Sequence, residues 1–193
     1  TDPSGGVFYP DYFGKDFVLN DLTHDGGLTA IRIEGPTNSV DQRVNRLSKE
    51  LGLLDQELSI LDNEQSNIFW SRTKNLEVFK KLENNLLRIV LPISETLQVI
   101  QKLKSYEIKY FIDWAGSLIW SSFDQLNTKI LNEIKDIVKK HQGYITLIKI
   151  EDDLKASADI FTIDPIKYKI SEKIKKSFDP RRIFNPGKMY TGI

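Results

Sequence analysis

Residues 178–190 read Phe-Asp-Pro-Arg-Arg-Ile-Phe-Asn-Pro-Gly-Lys-Met-Tyr, a short run holding two stiff prolines and one permissive glycine. Pro180 is expected to end the preceding helix, and Asn185-Pro186-Gly187 to force a tight turn. The Asn185 amide offers both donors and an acceptor, and such a turn would fix its direction. The alternative is a C-terminal clamp in which Ile183, Phe184 and Met189 plug a groove. Elsewhere the usual sources of chemistry are missing. The sequence has no GxGxxG fingerprint, phosphate-binding GxxxxGK[ST] loop, HExxH pair or GxSxG nucleophile elbow. Its two histidines, His24 and His141, stand far apart. His24 lies in a Thr-His-Asp-Gly-Gly turn, and His141 at an expected helix end, where a cation suits the dipole. Asp152-Asp153 reads as a solvated cap rather than a metal site. These residues alone do not assemble a self-sufficient active site.

The elements that must position such groups belong to a chain of 193 residues, a length suited to one good core. Its 40% hydrophobic and 28% charged residues suit a globular domain. The 27 basic and 27 acidic residues cancel, with no one-sided basic field of the kind a nucleic-acid binder shows. The absence of cysteine excludes disulfides, thiol nucleophiles, zinc–thiolate sites and iron–sulfur ligation by this chain. No apolar run approaches the roughly 18–20 residues of a transmembrane helix. The opening Thr1-Asp2-Pro3-Ser4-Gly5-Gly6 lacks both an initiator methionine and a signal-peptide pattern, so a processed or truncated chain is expected.

Residues 1–27 are rich in Gly, Asp and aromatics without sustained periodicity and read as a linker or docking segment. Phe8, Tyr9, Tyr12, Phe13 and Phe17 are many aromatics for a free linker and are expected to pack on this domain or on another. Residues 28–34 predict a strand ending at Gly35-Pro36, a helix start with Thr37 and Ser39 as possible caps. Val40, Val44, Leu47 and Leu51 continue at helical spacing to Gly52. Residues 54–61 predict a second strand, and Asp62 the cap of a helix carrying Ile68, Phe69, Leu76, Phe79 and Leu82. Residues 86–91 predict a strand, with Pro92 and Ser94 opening a helix bearing Leu97, Ile100 and Leu103. Residues 109–114 and 117–123 read as a hairpin about Ala115-Gly116. Asp124 is the expected cap of a helix with Leu126, Ile130, Ile134 and Ile137, closed by Gly143. Residues 144–150 predict a last strand. Asp164-Pro165 starts a final helix with the stripe Ile166, Ile170 and Ile174. Residues 28–47 and 86–103 share a strand, a proline-marked turn and an amphipathic helix. The expected class is therefore α+β, a duplicated ferredoxin-like antiparallel sheet covered by helices on one face.

The tail Asp179-Pro180-x-x-Ile183-Phe184-Asn185-Pro186-Gly187-Lys188-Met189 resembles the terminal signature of FAD-linked oxidases of the vanillyl-alcohol oxidase type. That group includes glycolate oxidase subunits and D-lactate dehydrogenases. Residues 86–92, Leu-Leu-Arg-Ile-Val-Leu-Pro, are similar to an arginine-bearing strand of the glycolate oxidase E subunit. Residues 110–120, with Asp113-Trp114-Ala115-Gly116, are similar to its Asp-Trp-Gly-Gly hairpin, and residues 28–35 to its Leu-Arg-Leu-Glu-Gly strand. The resemblance covers roughly residue 28 to the end.

It implies that residues 28–193 form the C-terminal cap domain of an E-type subunit, and that residues 1–27 follow a missing FAD-binding domain. The cap would lie over the isoalloxazine, where a 2-hydroxy acid such as glycolate loses a hydride to the flavin. By the same resemblance Asn185 lies near the flavin, with Lys188 beside it. Arg88 is the candidate for bidentate carboxylate or inter-domain binding, with an ordinary ion pair as the alternative. Asp113 and Trp114 either face the cofactor or cap their turn. The implied partners are the chain's own FAD domain, other glycolate oxidase subunits and a small 2-hydroxy acid. The implied location is cytoplasmic, with peripheral contact to the inner membrane. Two departures stand out. Relatives often carry glycine where this chain has Arg182, so a left-handed backbone there would be strained. The His-rich metal motif of the D-subunit and D-lactate types is absent, which suits an E subunit beside a D subunit. Two rival readings are an assembly scaffold with a vestigial flavin site, and a ferredoxin-like module that binds a small molecule.

Overall fold

The computed structural model describes residues 2–13, 26–52, 58–80, 85–155, 158–162, 164–188, 190 and 193. Phe17, His24, Leu54, Leu82 and Met189 lie outside them. The architecture is α+β, with six antiparallel strands and six α-helices among the described residues, consistent with a ferredoxin-like type. The chain divides into two compact units, Thr1–Glu83 with Tyr110–Gly116, and Asn84–Lys109 with Ser117–Ile193.

The first unit contains β1 (Gly5–Tyr9), β2 (Leu28–Arg32), β4 (Lys109–Asp113), α1 (Thr37–Glu50) and α2 (Asn63–Lys74). β1 runs between β2 and β4, antiparallel to both, with Val7 opposite Ala30 and Phe8 opposite Ile112. Within residues 1–27, then, the described part packs on its own unit. Gly5-Gly6 hides the strand, because glycine breaks the alternation by which a strand is read. Tyr9 is almost wholly buried. Its ring lies 4.8 Å from Phe111 and 6.3 Å from Phe69, while Phe79 lies 5.7 Å from Phe111 and 5.6 Å from Phe13. Buried aromatics of this kind carry much of a small core's stabilisation. The Tyr9 hydroxyl donates to Thr73 Oγ1 at 3.0 Å, and Thr73 donates to the Phe69 carbonyl at 3.0 Å. Burial raises the Tyr9 pKa, so the hydroxyl stays a donor.

The second unit contains β3 (Asn85–Val90), β5 (Leu118–Phe123), β6 (Tyr144–Lys149), α3 (Ile93–Leu103), α4 (Thr128–Lys140), the short α5 (Asp152–Lys155) and α6 (Pro165–Phe178). β3 is its middle strand, antiparallel to β5 and β6. Leu87 and Ile89 point into the core, whereas Leu86, Arg88 and Val90 on the other face are half-buried. Val99, Ile100 and Leu103 of α3 and Leu131, Ile134 and Val138 of α4 are the buried helix positions. Leu97, expected on the α3 stripe, is exposed. Gly143 leaves α4 through a crowded corner. A Cβ there would lie 2.2 Å from Leu91 Cδ2 and 2.7 Å from the Val90 carbonyl.

The repeat seen in the sequence has a backbone counterpart. Pro36 (φ −58°, ψ 142°) caps α1 and Pro92 (φ −56°, ψ 138°) caps α3, each between a strand and a helix. Thr37 and Ser39 are not the caps. The Pro36 carbonyl itself accepts from the Ser39 and Val40 N–H groups at 2.9 and 3.0 Å. Asn127, rather than Asp124, caps α4, with its side-chain oxygen accepting from the Ile130 N–H at 2.9 Å. Asp62 and Gln65 form a reciprocal capping box at α2. The described residues 58–61 of the expected second strand have no strand structure.

Candidate functional site

The tail begins where α6 ends. The Asp179 backbone leaves the helical conformation (φ −137°) while its N–H still donates to the Lys175 carbonyl at 2.8 Å. The following proline cannot prolong the helix. The Asp179 carboxylate, buried at 6% exposure, accepts from the Ile183 and Phe184 N–H groups, both at 2.9 Å. Lys175 Nζ completes the arrangement at 2.8 Å from Asp179 Oδ2 and donates also to the Phe184 carbonyl. The Lys175 hydrogen bond, followed by the two backbone N–H bonds, holds the Asp179 pKa down at about 2. One carboxylate thus ties residues 183 and 184 to the end of α6.

The next turn is the expected one. The Lys188 N–H donates to the Asn185 carbonyl at 3.2 Å across Pro186-Gly187, and Gly187 takes φ +66°. Asn185 and Arg182 are left-handed at φ 46° and 52°. Asn185 and Lys188 are exposed. Ile183 and Phe184 plug no groove, with 65% and 67% of their surface exposed. The braced turn therefore presents an amide, an ammonium group and two apolar side chains outward.

Arg88 stands on β3, in register with Trp120 on one side and Thr146 on the other, on the strand face opposite Leu87 and Ile89. Asp113 and Trp114 belong to the first unit. The Asp113 carboxylate accepts from the Trp114 N–H at 2.7 Å. Trp114, Ala115 and Gly116 follow one another at φ 50°, 51° and 111°. Non-glycine residues in this region are strained by about 1 kcal/mol or more each, and the strained tip holds Trp114 half exposed. The five site candidates thus fall at three places: the strained tip of the first unit, and strand β3 and the tail of the second.

Sequence reasoning missed two groups. One is the Lys175–Asp179 brace, whose signal was a lysine four residues before the aspartate that ends the helix. The other surrounds His141. Its Nδ1 lies 2.6 Å from Glu95 Oε2 and its Nε2 lies 2.8 Å from Lys102 Nζ. Lysine can only donate, so Nε2 is the acceptor and Nδ1 carries the proton toward Glu95. The array ties the end of α4 to α3. Among the described residues no group of three or more His, Asp or Glu side chains is placed to hold a metal ion. Asp152 and Asp153 lie in the first turn of α5. No helix among the described residues is long and apolar enough to cross a membrane.

Neither a known family model nor a curated protein matches the chain.

Proposed function

We propose that the chain is the cap part of an FAD-dependent 2-hydroxy-acid dehydrogenase of the glycolate oxidase E-subunit type, working beside a separate FAD-binding domain and partner subunits. The observation that carries this reading is the outward-facing Asn185–Lys188 turn, braced from behind by Asp179. An exposed amide on a turn whose approach is tied to Asp179, next to exposed Ile183 and Phe184, suits the edge of a flat heteroaromatic ring. Bound FAD would supply the hydride acceptor. The second unit's own contributions would be the Asn185 amide and Lys188 ammonium at the ring edge and Arg88 as the carboxylate holder; Trp114 and Asp113, on the first unit, are separate cofactor-side candidates by the resemblance alone. Arg88 is half-buried between Trp120 and Thr146, where a guanidinium loses little freedom on binding. The expected location is cytoplasmic, with peripheral contact to the inner membrane.

Exposed Ile183 and Phe184 also favour a second reading, an assembly scaffold in which the tail serves only a subunit interface. Arg88→Ala and Asn185→Ala in the assembled complex separate the two. Lost 2-hydroxy-acid turnover with intact assembly supports the cap reading, whereas failed assembly with normal turnover in the residual complex supports the scaffold. The isolated chain mixed with FAD and passed through gel filtration is expected to emerge without flavin absorbance. Stoichiometric retention of flavin would overturn the division of labour.

A further inference from the structure

Helix α6 carries Ile166, Ile170, Ile174 and Phe178 at a spacing of four, so they share one stripe. The stripe faces solvent along its whole length, from Ile166 at 72% exposure to Phe178 at 84%. Lys167, Lys169, Lys173 and Lys176 are exposed with it, while Tyr168, Ser171, Glu172 and Lys175 form the half-buried side. A surface helix ordinarily buries its apolar stripe; here that stripe is outermost, and lysines flank it.

The local charge is one-sided. Residues 165–188 hold eight basic and two acidic residues, in a chain whose charges balance only as a whole. Of the two acids, Asp179 is consumed by Lys175, and Glu172 lies 3.3 Å from Lys176. Asp164, the helix cap, is 3.9 Å from Lys167. Lys169 and Lys173 lie on one flank of Ile170 and Lys167 on the other, all exposed.

From this face we infer a docking site for an anionic phospholipid surface. The isoleucines and Phe178 enter the boundary between headgroups and acyl chains, and the lysines extend their alkyl stems outward to reach lipid phosphates. The excess of positive charge selects a negatively charged bilayer over a neutral one. A second copy of the chain would have to bring like charge against like charge on the same face. The inference gives a surface to the peripheral membrane contact in the oxidase reading, but it is argued from α6 alone, and vesicle binding tests it without reference to flavin or turnover.

The test is co-sedimentation of the full chain with vesicles of phosphatidylcholine alone and of phosphatidylcholine mixed equally with phosphatidylglycerol. The expected result is partition onto the anionic vesicles only, weakening as salt rises. Lys169→Gln with Lys173→Gln should reduce that partition roughly 25-fold, at about fivefold per lysine. Ile170→Asn with Ile174→Asn should abolish it while circular dichroism stays unchanged, since both positions are exposed. Failure of the wild-type chain to bind anionic vesicles overturns the inference, as does equal binding to neutral ones. Concentration-dependent self-association lost in Ile170→Asn/Ile174→Asn, without vesicle binding, overturns it in favour of a contact between copies.

Discussion

Lys175 and Asp179 stand one helical turn apart, and the ammonium of the first lies 2.8 Å from the carboxylate of the second at the point where α6 stops. The pair does more than neutralise itself. The same carboxylate accepts two backbone N–H groups from the tail, so the direction of the Asn185 turn depends on a charge at Asp179. The pKa of that carboxyl is lowered from 3.8 to about 2. A depressed acid stabilises the fold fully above its unfolded pKa, and that contribution disappears as pH falls through the folded value. The tail is expected to stay ordered down to about pH 4 and to loosen between there and about pH 2. Amide hydrogen exchange at Ile183 and Phe184 reads this directly. Asp179→Asn should speed exchange at both amides at neutral pH and remove the acid-dependent step.

The His141 array gives a second expectation. His141 is nearly buried, with Glu95 and Lys102 of α3 on its two ring nitrogens. Removing Glu95 leaves the Nδ1 proton of a largely buried ring without its acceptor. Glu95→Ala should therefore destabilise the chain by about 1–3 kcal/mol, the range for a buried donor left without its partner. Urea denaturation followed by tryptophan fluorescence measures it. An unchanged midpoint would mean that the array is not a clamp.

Gly143 offers a purely steric test. Its missing side chain makes room for Leu91, the Val90 carbonyl and Val138 Cγ1, the last 2.8 Å from where a Cβ would sit. Contacts at that distance force backbone or side-chain movement in a packed corner. Gly143→Ala is expected to destabilise the chain by about 1–3 kcal/mol. At Gly187, by contrast, a Cβ would meet nothing within 4 Å and only the left-handed φ of +66° resists it. Gly187→Ala should accordingly lose only about 1 kcal/mol. Thermal denaturation of the two variants side by side separates crowding from backbone strain.

These contrasts also show how far the sequence could be read. Leu87 and Ile89 alternate with Leu86, Arg88 and Val90, and a period of two specifies both the strand and its buried face. Proline at positions 36 and 92 marked both strand-to-helix turns, since a fixed φ leaves few choices. β1 escaped because Gly5-Gly6 carry no side chains to alternate. Asp124 and Asn127 are equally good caps by type, and only the backbone hydrogen bond to Ile130 decides between them. Asn185 was legible through its neighbours Pro186 and Gly187. His141 was not, because Glu95 and Lys102 lie 46 and 39 residues away and nothing local foretells their meeting. The α6 stripe could be read as apolar, but whether a stripe faces core or solvent is a tertiary fact.

Arg182 supplies the last expectation, and it began as an oddity of sequence. The resemblance placed glycine at this position, and Arg182 does take a left-handed backbone, at φ 52°. Its N–H donates to the Asp179 carbonyl at 3.0 Å, so the bend is part of the hook that carries Ile183 and Phe184 back to the Asp179 carboxylate. An L side chain resists this conformation by roughly 1 kcal/mol or more, whereas glycine accepts it. Glycine also gives the unfolded chain more freedom, which offsets about half of that relief. Arg182→Gly is thus expected to raise stability by about 0.5 kcal/mol, or roughly 1–2 °C in melting temperature for a chain of this size. Arg182→Ala keeps the Cβ and removes only the exposed guanidinium, so it should leave the melting temperature unchanged. If the alanine variant gains as much as the glycine variant, the strain lies in the crowding of positive charge and not in the backbone.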